Sequence, residues 1–362
     1  TESSERLKTL QKQYKYLGNA TCAGDGLCSM SCPMGINVGD LTHDIRQANL
    51  PEKSIGYKTG DFVANHFAET KSALRPVLYL ANMAHNMLGD KVMSSIGQGL
   101  HQIGVPLWTP SMPKPYYPHR IQQHEESLKV VYFPSCINQT MGTAKDSPDQ
   151  TPLIDKTVAL LQKAGYEVIF PENMKNLCCG TIWESKGMMD IAEAALYKAS
   201  NGGKYPVLCD QSPCLHRMRE VMTQVKLYEP VEFIYTFLKD KLVFSPIDEP
   251  IAVHITCSMR KMNLGNMLVD LARLCSTKVI VPEEVGCCGF AGDRGFTYPE
   301  VNAYALRKLK PQIEKAEIKT GYSNSRTCEI GLTTNAGIPY ISIVYLVDKC
   351  TTSKNKCHEQ PA

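Results

Sequence analysis

The sequence predicts an α+β protein, with a small helical N-terminal segment followed by two similar α/β units whose sheets are mainly parallel. Two observations predict this fold. The chain contains an internal repeat in which short strand patterns alternate with helical patterns. Each copy of the repeat carries the triplet Cys-Cys-Gly, at 178–180 and at 287–289. With 362 residues, 43% of them hydrophobic, the chain is long enough for two or three buried cores.

Composition divides the chain into five predicted parts. These are a helical, cysteine-rich segment (1–50), a helical connector ending in a proline-rich linker (51–127), a first Cys-Cys-Gly unit (128–244), a second such unit (245–350) and a polar tail (351–362). In the first part, apolar spacing predicts a helix in ERLKTLQKQYKYL and another in INVGDLTHDIRQANL, with Asp40 or Thr42 near its start. The linker VPLWTPSMPKPYYP holds five prolines and is expected to be extended.

The repeat defines the elements of the two units. The strands KVVYFPSC, YEVIF and YPVLC of the first copy match IAVHITC, TKVIV and TGYSN of the second. Helices are predicted between them, in TVALLQKAG and DIAEAALYKASNGG and then in MLVDLARLC and VNAYALRKLKPQIEKA. PYISIVYLV is predicted to be a final strand, and PVEFIYTFL either a strand or a helix.

Each unit places four cysteines just after strands. They are Cys136, Cys178, Cys179 and Cys214 in the first unit, and Cys257, Cys287, Cys288 and Cys328 in the second. Ligands of parallel α/β units gather outside the carboxyl ends of the strands, so each set is expected to converge on one point. Adjacent cysteines point apart and suit two irons of one cluster better than one zinc ion. The two units differ in spacing, which leaves zinc, or no metal, as the alternative for one of them.

The stretch CAGDGLCSMSCP at 22–33 resembles the iron–sulfur pattern C-x-x-C-x-x-C-x-x-x-C-P. Cys22, Cys28 and Cys32 are in register with it, but Asp25 replaces the second cysteine. A carboxylate carries the charge of a thiolate but is a harder ligand, so a cluster held by Asp25 should interconvert between four-iron and three-iron forms. Alternatively, Gly24-Asp25-Gly26 is only a tight turn.

Composition excludes several function classes. A net charge of +3 without basic blocks argues against nucleic acid, and no apolar stretch is long enough to span a membrane. No Ser-His-Asp or paired-carboxylate arrangement is present, so no catalytic residue is predicted in this chain. The first residue is Thr, from which we expect an N-terminus cut by processing or by the choice of fragment.

Fifteen cysteines, an odd number, do not indicate a disulfide framework. Reduced thiols that bind metal fit better, and they place the protein in the cytoplasm or the mitochondrial matrix, free or peripheral on a membrane. Cys350 and Cys357, in or near the polar tail, are expected to be free thiols.

These motifs resemble the tandem CCG module of the heterodisulfide reductase B subunit, the glycolate oxidase iron–sulfur subunit and the C-terminal part of FAD-dependent, iron–sulfur D-lactate and related D-2-hydroxyacid dehydrogenases. The last group is most similar, since TCAGDGLCSMSCPMGINVG, PLWTPSMPKP, SPCLHRM and SNSRTCEIGLT all read like it. The resemblance covers nearly the whole chain and implies a ferredoxin-like N-terminal segment before the two CCG units.

The resemblance implies an electron-transfer module. FAD would be held by a dehydrogenase domain or subunit upstream of this chain, with 4Fe-4S clusters here and a quinone or cytochrome as acceptor. The fourth cysteine of a ferredoxin motif ligates the other cluster of a pair. Cys32 would then serve a cluster whose other ligands lie upstream, and Cys22 and Cys28, with Asp25, would need a fourth ligand from there.

Two alternatives come from other classes. A heterodisulfide or thiol-disulfide reductase would use a CCG cluster as its active site, but the C-x-x-C endings of that module are missing, because Arg217 and Gly331 stand in their place. Cys209 is then a fifth thiolate for the first unit or a buried strand cysteine. The other alternative is a zinc-stabilised scaffold without a redox role.

Overall fold

The computed structural model describes residues 3–48, 55–122, 125–180 and 186–354. Within these ranges the helices are α1 (Ser4–Tyr14), α2 (Leu27–Ser31), α3 (Val38–Ala48), α4 (Ile55–Asn65), α5 (Phe67–His101), α6 (Cys136–Thr140), α7 (Leu153–Lys163), α8 (Lys186–Ala199), α9 (Ser212–Val221), α10 (Pro230–Phe233), α11 (Cys257–Lys261), α12 (Gly265–Cys275), α13 (Arg294–Thr297), α14 (Pro299–Ala305), α15 (Leu309–Lys315), α16 (Arg326–Ala336) and α17 (Ile343–Lys349). Short π-helical turns extend α1 and α10, over Lys15–Ala20 and Ile234–Leu238.

The strands confirm the predicted repeat. They are β1 (Leu128–Phe133), β2 (Tyr166–Ile169), β3 (Val207–Cys209), β4 (Leu227–Tyr228), β5 (Leu242–Phe244), β6 (Ile247–Val253), β7 (Ser276–Ile280), β8 (Thr320–Ser323), β9 (Tyr340–Ser342) and β10 (Thr351–Ser353). Two four-stranded parallel sheets result among the described residues, in the orders β2-β1-β3-β4 and β7-β6-β8-β9. The predicted α+β class is therefore confirmed, and the two sheets have the same topology.

The two units pack reciprocally. Helix α17, which follows the second sheet, packs on α7 of the first unit, and α10, which follows the first sheet, packs on α12 of the second. Lys163 of α7 donates to the carbonyl of Asp348 in α17 at 2.8 Å. One apolar core therefore contains side chains of both sheets, among them Tyr132 and Val253. Strands β5 and β10 pair antiparallel with each other.

PVEFIYTFL, predicted as a strand or a helix, is helical. Two other predicted elements differ from those observed. PYISIVYLV forms a strand only over Tyr340–Ser342 before α17 begins. The side chain of Ser342 accepts a hydrogen bond from Val344 N and so starts that helix. VNAYALRKLKPQIEKA is two helices, α14 and α15, rather than one. The five-part division of the chain stays a prediction, and Cys357 lies outside the described residues.

No helix in the described parts of the chain combines the length and the apolar character that crossing a membrane requires.

Candidate metal centres

The eight repeat cysteines lie at the carboxyl ends of the parallel strands. Cys136 and Cys257 are the first residues of α6 and α11, which follow β1 and β6. Cys214 and Cys328 are the third residues of α9 and α16, which follow β3 and β8. The two Cys-Cys pairs lie in the loops after β2 and β7. Since these strands are neighbours in each sheet, each set of four thiols gathers at one edge.

In the first unit the thiols contact one another in the order Cys136, Cys178, Cys179, Cys214. Contact with Cys136 and then with Cys179, together with burial, raises the pKa of Cys178 far above its ordinary value. Contact with Cys179 and burial do the same for the pKa of Cys214. A metal needs the thiolates, so binding at this site would release protons.

The second unit repeats this order. Contact with Cys287 and burial raise the pKa of Cys257. The thiols of Cys288 and Cys328 lie 3.1 Å apart. Contact with Cys287 lowers the pKa of Cys288, but contact with Cys328 and burial raise it well above its ordinary value. Both units thus hold four soft ligands in a series of pairwise contacts, and five of these eight cysteines are buried.

Backbone N–H groups point at the sulfur atoms. Gly180 N lies 3.4 Å from the thiol of Cys178, Gly289 N lies 3.3 Å from that of Cys287, and Phe290 N donates to Cys288. Both glycines have positive φ angles, 77° and 70°. Such donors stabilise thiolate sulfur in iron–sulfur sites and tune their potentials. The donor set therefore fits an iron–sulfur cluster in each unit.

Gly289 predicts a measurable stability effect. A Cβ atom there would lie 2.9 Å from both Ala305 Cβ and Val301 O, whereas at Gly292, which also has a positive φ, nothing lies within 4 Å. We expect Gly292→Ala to lower the free energy of unfolding by about 1–2 kcal/mol, from the φ angle alone. Gly289→Ala should cost roughly 1–3 kcal/mol more from the clash. Urea unfolding of both variants tests this, and equal losses would contradict it.

The N-terminal cysteines lie on or beside α2. Gly24 N lies 3.4 Å from the thiol of Cys22, and Val38 N donates to that of Cys28 at 3.3 Å. Cys32 directly follows α2, and backbone N–H groups of Ile36 and then Met34 lower its pKa. Cys28 is exposed and Cys22 and Cys32 are partly exposed, whereas five of the eight cysteines of the two units are buried.

The position of Asp25 does not follow from the motif in which it stands, which groups it with Cys22 and Cys28. One carboxylate oxygen of Asp25 and the thiols of Cys257 and Cys287 all lie within 4.8 Å of one another. Among the residues that the structure describes, this is the group of three or more acidic, histidine or cysteine side chains compact enough for a single metal ion. The carboxylate therefore belongs spatially to the second unit.

Lys71 of α5 is a residue that the sequence analysis missed. Its side chain is 6% exposed, and its ammonium group donates to Gln139 Oε1 at 2.9 Å. Burial lowers its pKa to about 8, and the nearby thiols of Cys136 and Cys178 act in the opposite direction. A buried lysine that lies beside thiols and has no carboxylate partner among the described residues is the cation that a negatively charged cluster would pair with. No local sequence pattern predicts the position of Lys71 beside these thiols.

Cys209 ends β3 and is fully buried. Its thiol lies 3.8 Å from the carbonyl of Gln211, and burial raises its pKa well above the ordinary value.

Comparison with known proteins matches the repeat. The family profile described as CCG, cysteine-rich domain, matches residues 130–216 and 251–333, which contain all eight repeat cysteines. Among curated proteins, lactate utilization protein A of Bacillus subtilis is 24% identical over 218 residues, which cover 54% of this chain and 87% of that protein. Lactate utilization protein A of Halalkalibacterium halodurans is 28% identical over 158 residues, or 38% of this chain and 63% of that protein.

Two solved structures show distant similarity. Aspartate racemase of Picrophilus torridus has a TM-score of 0.29 at 9% identity, with 64% of this chain and 97% of the racemase covered. Allantoin racemase of Pseudomonas fluorescens has a TM-score of 0.23 at 12% identity, with 65% and 96% covered. Values this low indicate neither a shared fold nor a shared function. The chain is thus similar, through its two cysteine-bearing units, to CCG cysteine-rich domains and to lactate utilization protein A.

Proposed function

We propose that this chain is an iron–sulfur electron-transfer module of lactate oxidation. The observation that carries the proposal is the repeated set of four thiols, which contact one another in the same order in both units. The match of both units to the cysteine-rich domain and the similarity to two lactate utilization proteins support it. Each unit would bind one cluster through its four cysteines.

The oxidation itself would take place on a partner. A 2-hydroxyacid, D-lactate by the resemblance, loses two electrons and two protons to FAD on a dehydrogenase domain or subunit and becomes a 2-oxoacid. The electrons would then leave the flavin one at a time through the clusters of this chain to a quinone or cytochrome. The role of this chain is ligation, burial and hydrogen bonding at the sulfur atoms, which set the potentials.

The absorption spectrum of the anaerobically purified chain tests the cofactor. Iron–sulfur clusters give a brown protein with a broad visible band and acid-labile sulfide. A colourless protein that contains zinc would replace the proposal with the scaffold, and absorption from one unit only, with zinc in the other, would restrict it to that unit. The assignment to a reducing compartment, the cytoplasm or the mitochondrial matrix, belongs to the same proposal, since the thiols must stay reduced.

A turnover assay tests whether substrate oxidation and electron transfer are carried out by separate proteins or domains. We expect the chain alone to oxidise neither D- nor L-lactate, because the resemblance assigns FAD and the substrate to a dehydrogenase domain or subunit outside it. With a lactate-oxidising flavoprotein added, lactate should bleach the visible band and electrons should reach an artificial acceptor. The double variant Cys179→Ser/Cys288→Ser is the matched control and should transfer none. Lactate oxidation by the isolated chain would refute the assignment.

A further inference from the structure

Asp25 and Lys71 each lie near the equivalent pair of thiols in their units. Asp25 lies against Cys257 and Cys287, the strand-end cysteine and the first cysteine of the pair. In the first unit, the two equivalent thiols lie near the ammonium group of Lys71. The same corner of the thiol set therefore contains a carboxylate in one unit and a cation in the other. A carboxylate can ligate a metal, whereas an ammonium group cannot.

The turn that carries Asp25 packs between α3 of the N-terminal segment and α11 of the second unit. Gly24 and Gly26 have φ angles of 64° and 69°, and Leu27 N donates to a carboxylate oxygen of Asp25 at 3.2 Å. A Cβ atom at Gly26 would lie 2.6 Å from the ammonium nitrogen of Lys261 in α11, the helix that begins with Cys257. Gly26 thus permits a close approach of this turn to the second unit, and Gly24, where a Cβ atom would clash with His43, permits its approach to α3.

Contacts before the turn hold the segment on the same unit. The hydroxyl of Tyr16 donates to the carboxylate of Glu300, and its ring packs edge-on against Tyr298, with the centroids 6.0 Å apart. The guanidinium group of Arg294 donates to the carbonyl of Ala20. The segment that carries Asp25 is therefore docked on the second unit. It contacts Arg294 in α13, Tyr298 between α13 and α14, and Glu300 in α14.

We propose that Asp25 is a protein ligand of the metal centre in the second unit, and that it completes a five-ligand set with Cys257, Cys287, Cys288 and Cys328. The inference rests on the proposed function, because it needs a cluster in that unit. The first unit has no such carboxylate among the described residues near its thiols, so its centre is held by four thiolates beside Lys71. The two centres then differ in ligand number and charge although they lie on equivalent strands.

This assignment has a chemical consequence. With five protein ligands for four irons, one iron of the second centre has the Asp25 carboxylate in addition to a thiolate. The carboxylate should slow the loss of that iron when ferricyanide oxidises the cluster, but less than a fifth thiolate would, because carboxylate oxygen is harder than thiolate sulfur and holds cluster iron less tightly. In that step a four-iron cluster gives one electron to ferricyanide and releases one Fe²⁺, which leaves a three-iron cluster. The first centre, held by four thiolates, should release its iron sooner under the same treatment.

The experiment follows iron loss and the three-iron EPR signal in the full-length chain, reconstituted anaerobically with iron and sulfide. Measurements use the Cys179→Ser background, in which the first unit cannot contribute. We expect Asp25→Ala to speed iron loss by at least fivefold and to raise the three-iron signal, and Asp25→Cys to slow the loss. Asp40→Ala, an exposed acid of the same segment, is the matched control and should change neither quantity.

Double variants locate the effect. Under the proposal, Asp25→Ala changes iron loss when combined with Cys28→Ser but not when combined with Cys288→Ser, because only the second removes the centre concerned. The reverse result would assign Asp25 to the N-terminal cysteines and overturn the proposal. Equal rates for all Asp25 variants would make it a turn residue and also overturn it.

Two further measurements keep the outcomes separate. Asp25→Asn preserves the shape of the turn and removes the charge, so it replaces Asp25→Ala if the latter does not fold. If the Cys179→Ser chain binds no iron even with Asp25 present, the proposed function fails for the second unit, and the Asp25 assignment fails with it. If that chain binds iron and the Asp25 variants behave alike, only the Asp25 assignment fails.

Discussion

Replacing Cys288 with serine should remove the metal of the second unit and leave that of the first, and replacing Cys179 should do the reverse. Each residue is the third of the four contacting thiols in its unit and is almost fully buried. Serine exchanges a soft thiolate for a hydroxyl that stays protonated and binds iron weakly. We expect iron and labile sulfide to fall by one cluster in each single variant and by two in the double variant.

Cys275→Ser is the matched control for this experiment. Cys275 is also fully buried, but it ends α12 and contacts Cys350 rather than a thiol set. It should lose stability without losing iron. If Cys179→Ser and Cys288→Ser both retain the iron of the wild-type chain, the repeated cysteines are structural. If only one of them loses iron, the other unit contains zinc or no metal.

Replacing Lys71 with methionine should shift the reduction potential of the first centre to more negative values. Reduction adds an electron to a negatively charged cluster, and the buried ammonium group stabilises that extra charge. At pH 7, below the pKa of about 8, the ammonium form predominates. A charge pair at an effective dielectric constant near 20 contributes about 1–3 kcal/mol. This corresponds to roughly 50–130 mV for one electron.

Redox titration monitored by EPR measures this shift in the Cys288→Ser background, where the second centre is absent. Lys71→Arg keeps the charge and should stay within a small fraction of the methionine shift. Lys91→Met removes a cation from the same helix, but at an exposed position, and serves as the second control. A potential that is equal in Lys71→Met and wild type would mean that the ammonium group does not act on a cluster.

The grouping of the repeat cysteines could be predicted because the same motif occurs at equivalent positions in both copies of the repeat. Cys178 and Cys287 each follow a strand and a turn of the same pattern and each begin a Cys-Cys-Gly triplet. Parallel strands bring such positions to one edge of a sheet. The same reasoning could not place Asp25 or Lys71. Both come from segments outside the repeat, and their position depends on packing over long sequence distances that no local pattern encodes.

Secondary structure could not be predicted reliably for short apolar segments. PYISIVYLV is apolar almost throughout, so its pattern cannot separate a buried strand from a buried helix. The structure divides it at Ser342, whose side chain caps α17. Cys350 follows that helix and is buried, with its thiol donating to the carbonyl of Cys275 at 3.3 Å. The predicted free thiol is confirmed, but it is buried rather than exposed, because the pairing of β10 with β5 holds residues 351–353 against the protein.

The reciprocal packing of the two units has a consequence for their symmetry. The helix that follows each sheet packs on the helix before the second strand of the other unit, and the equivalent strands β5 and β10 pair antiparallel. Equivalent elements contact each other in this way across the two-fold axis of a homodimer. Two copies of either half would offer each other the same pair of faces. The chain therefore has the arrangement expected of a symmetric dimer whose two subunits are joined in one polypeptide, and Asp25 and Lys71, from segments before the repeat, make its two thiol sets unlike.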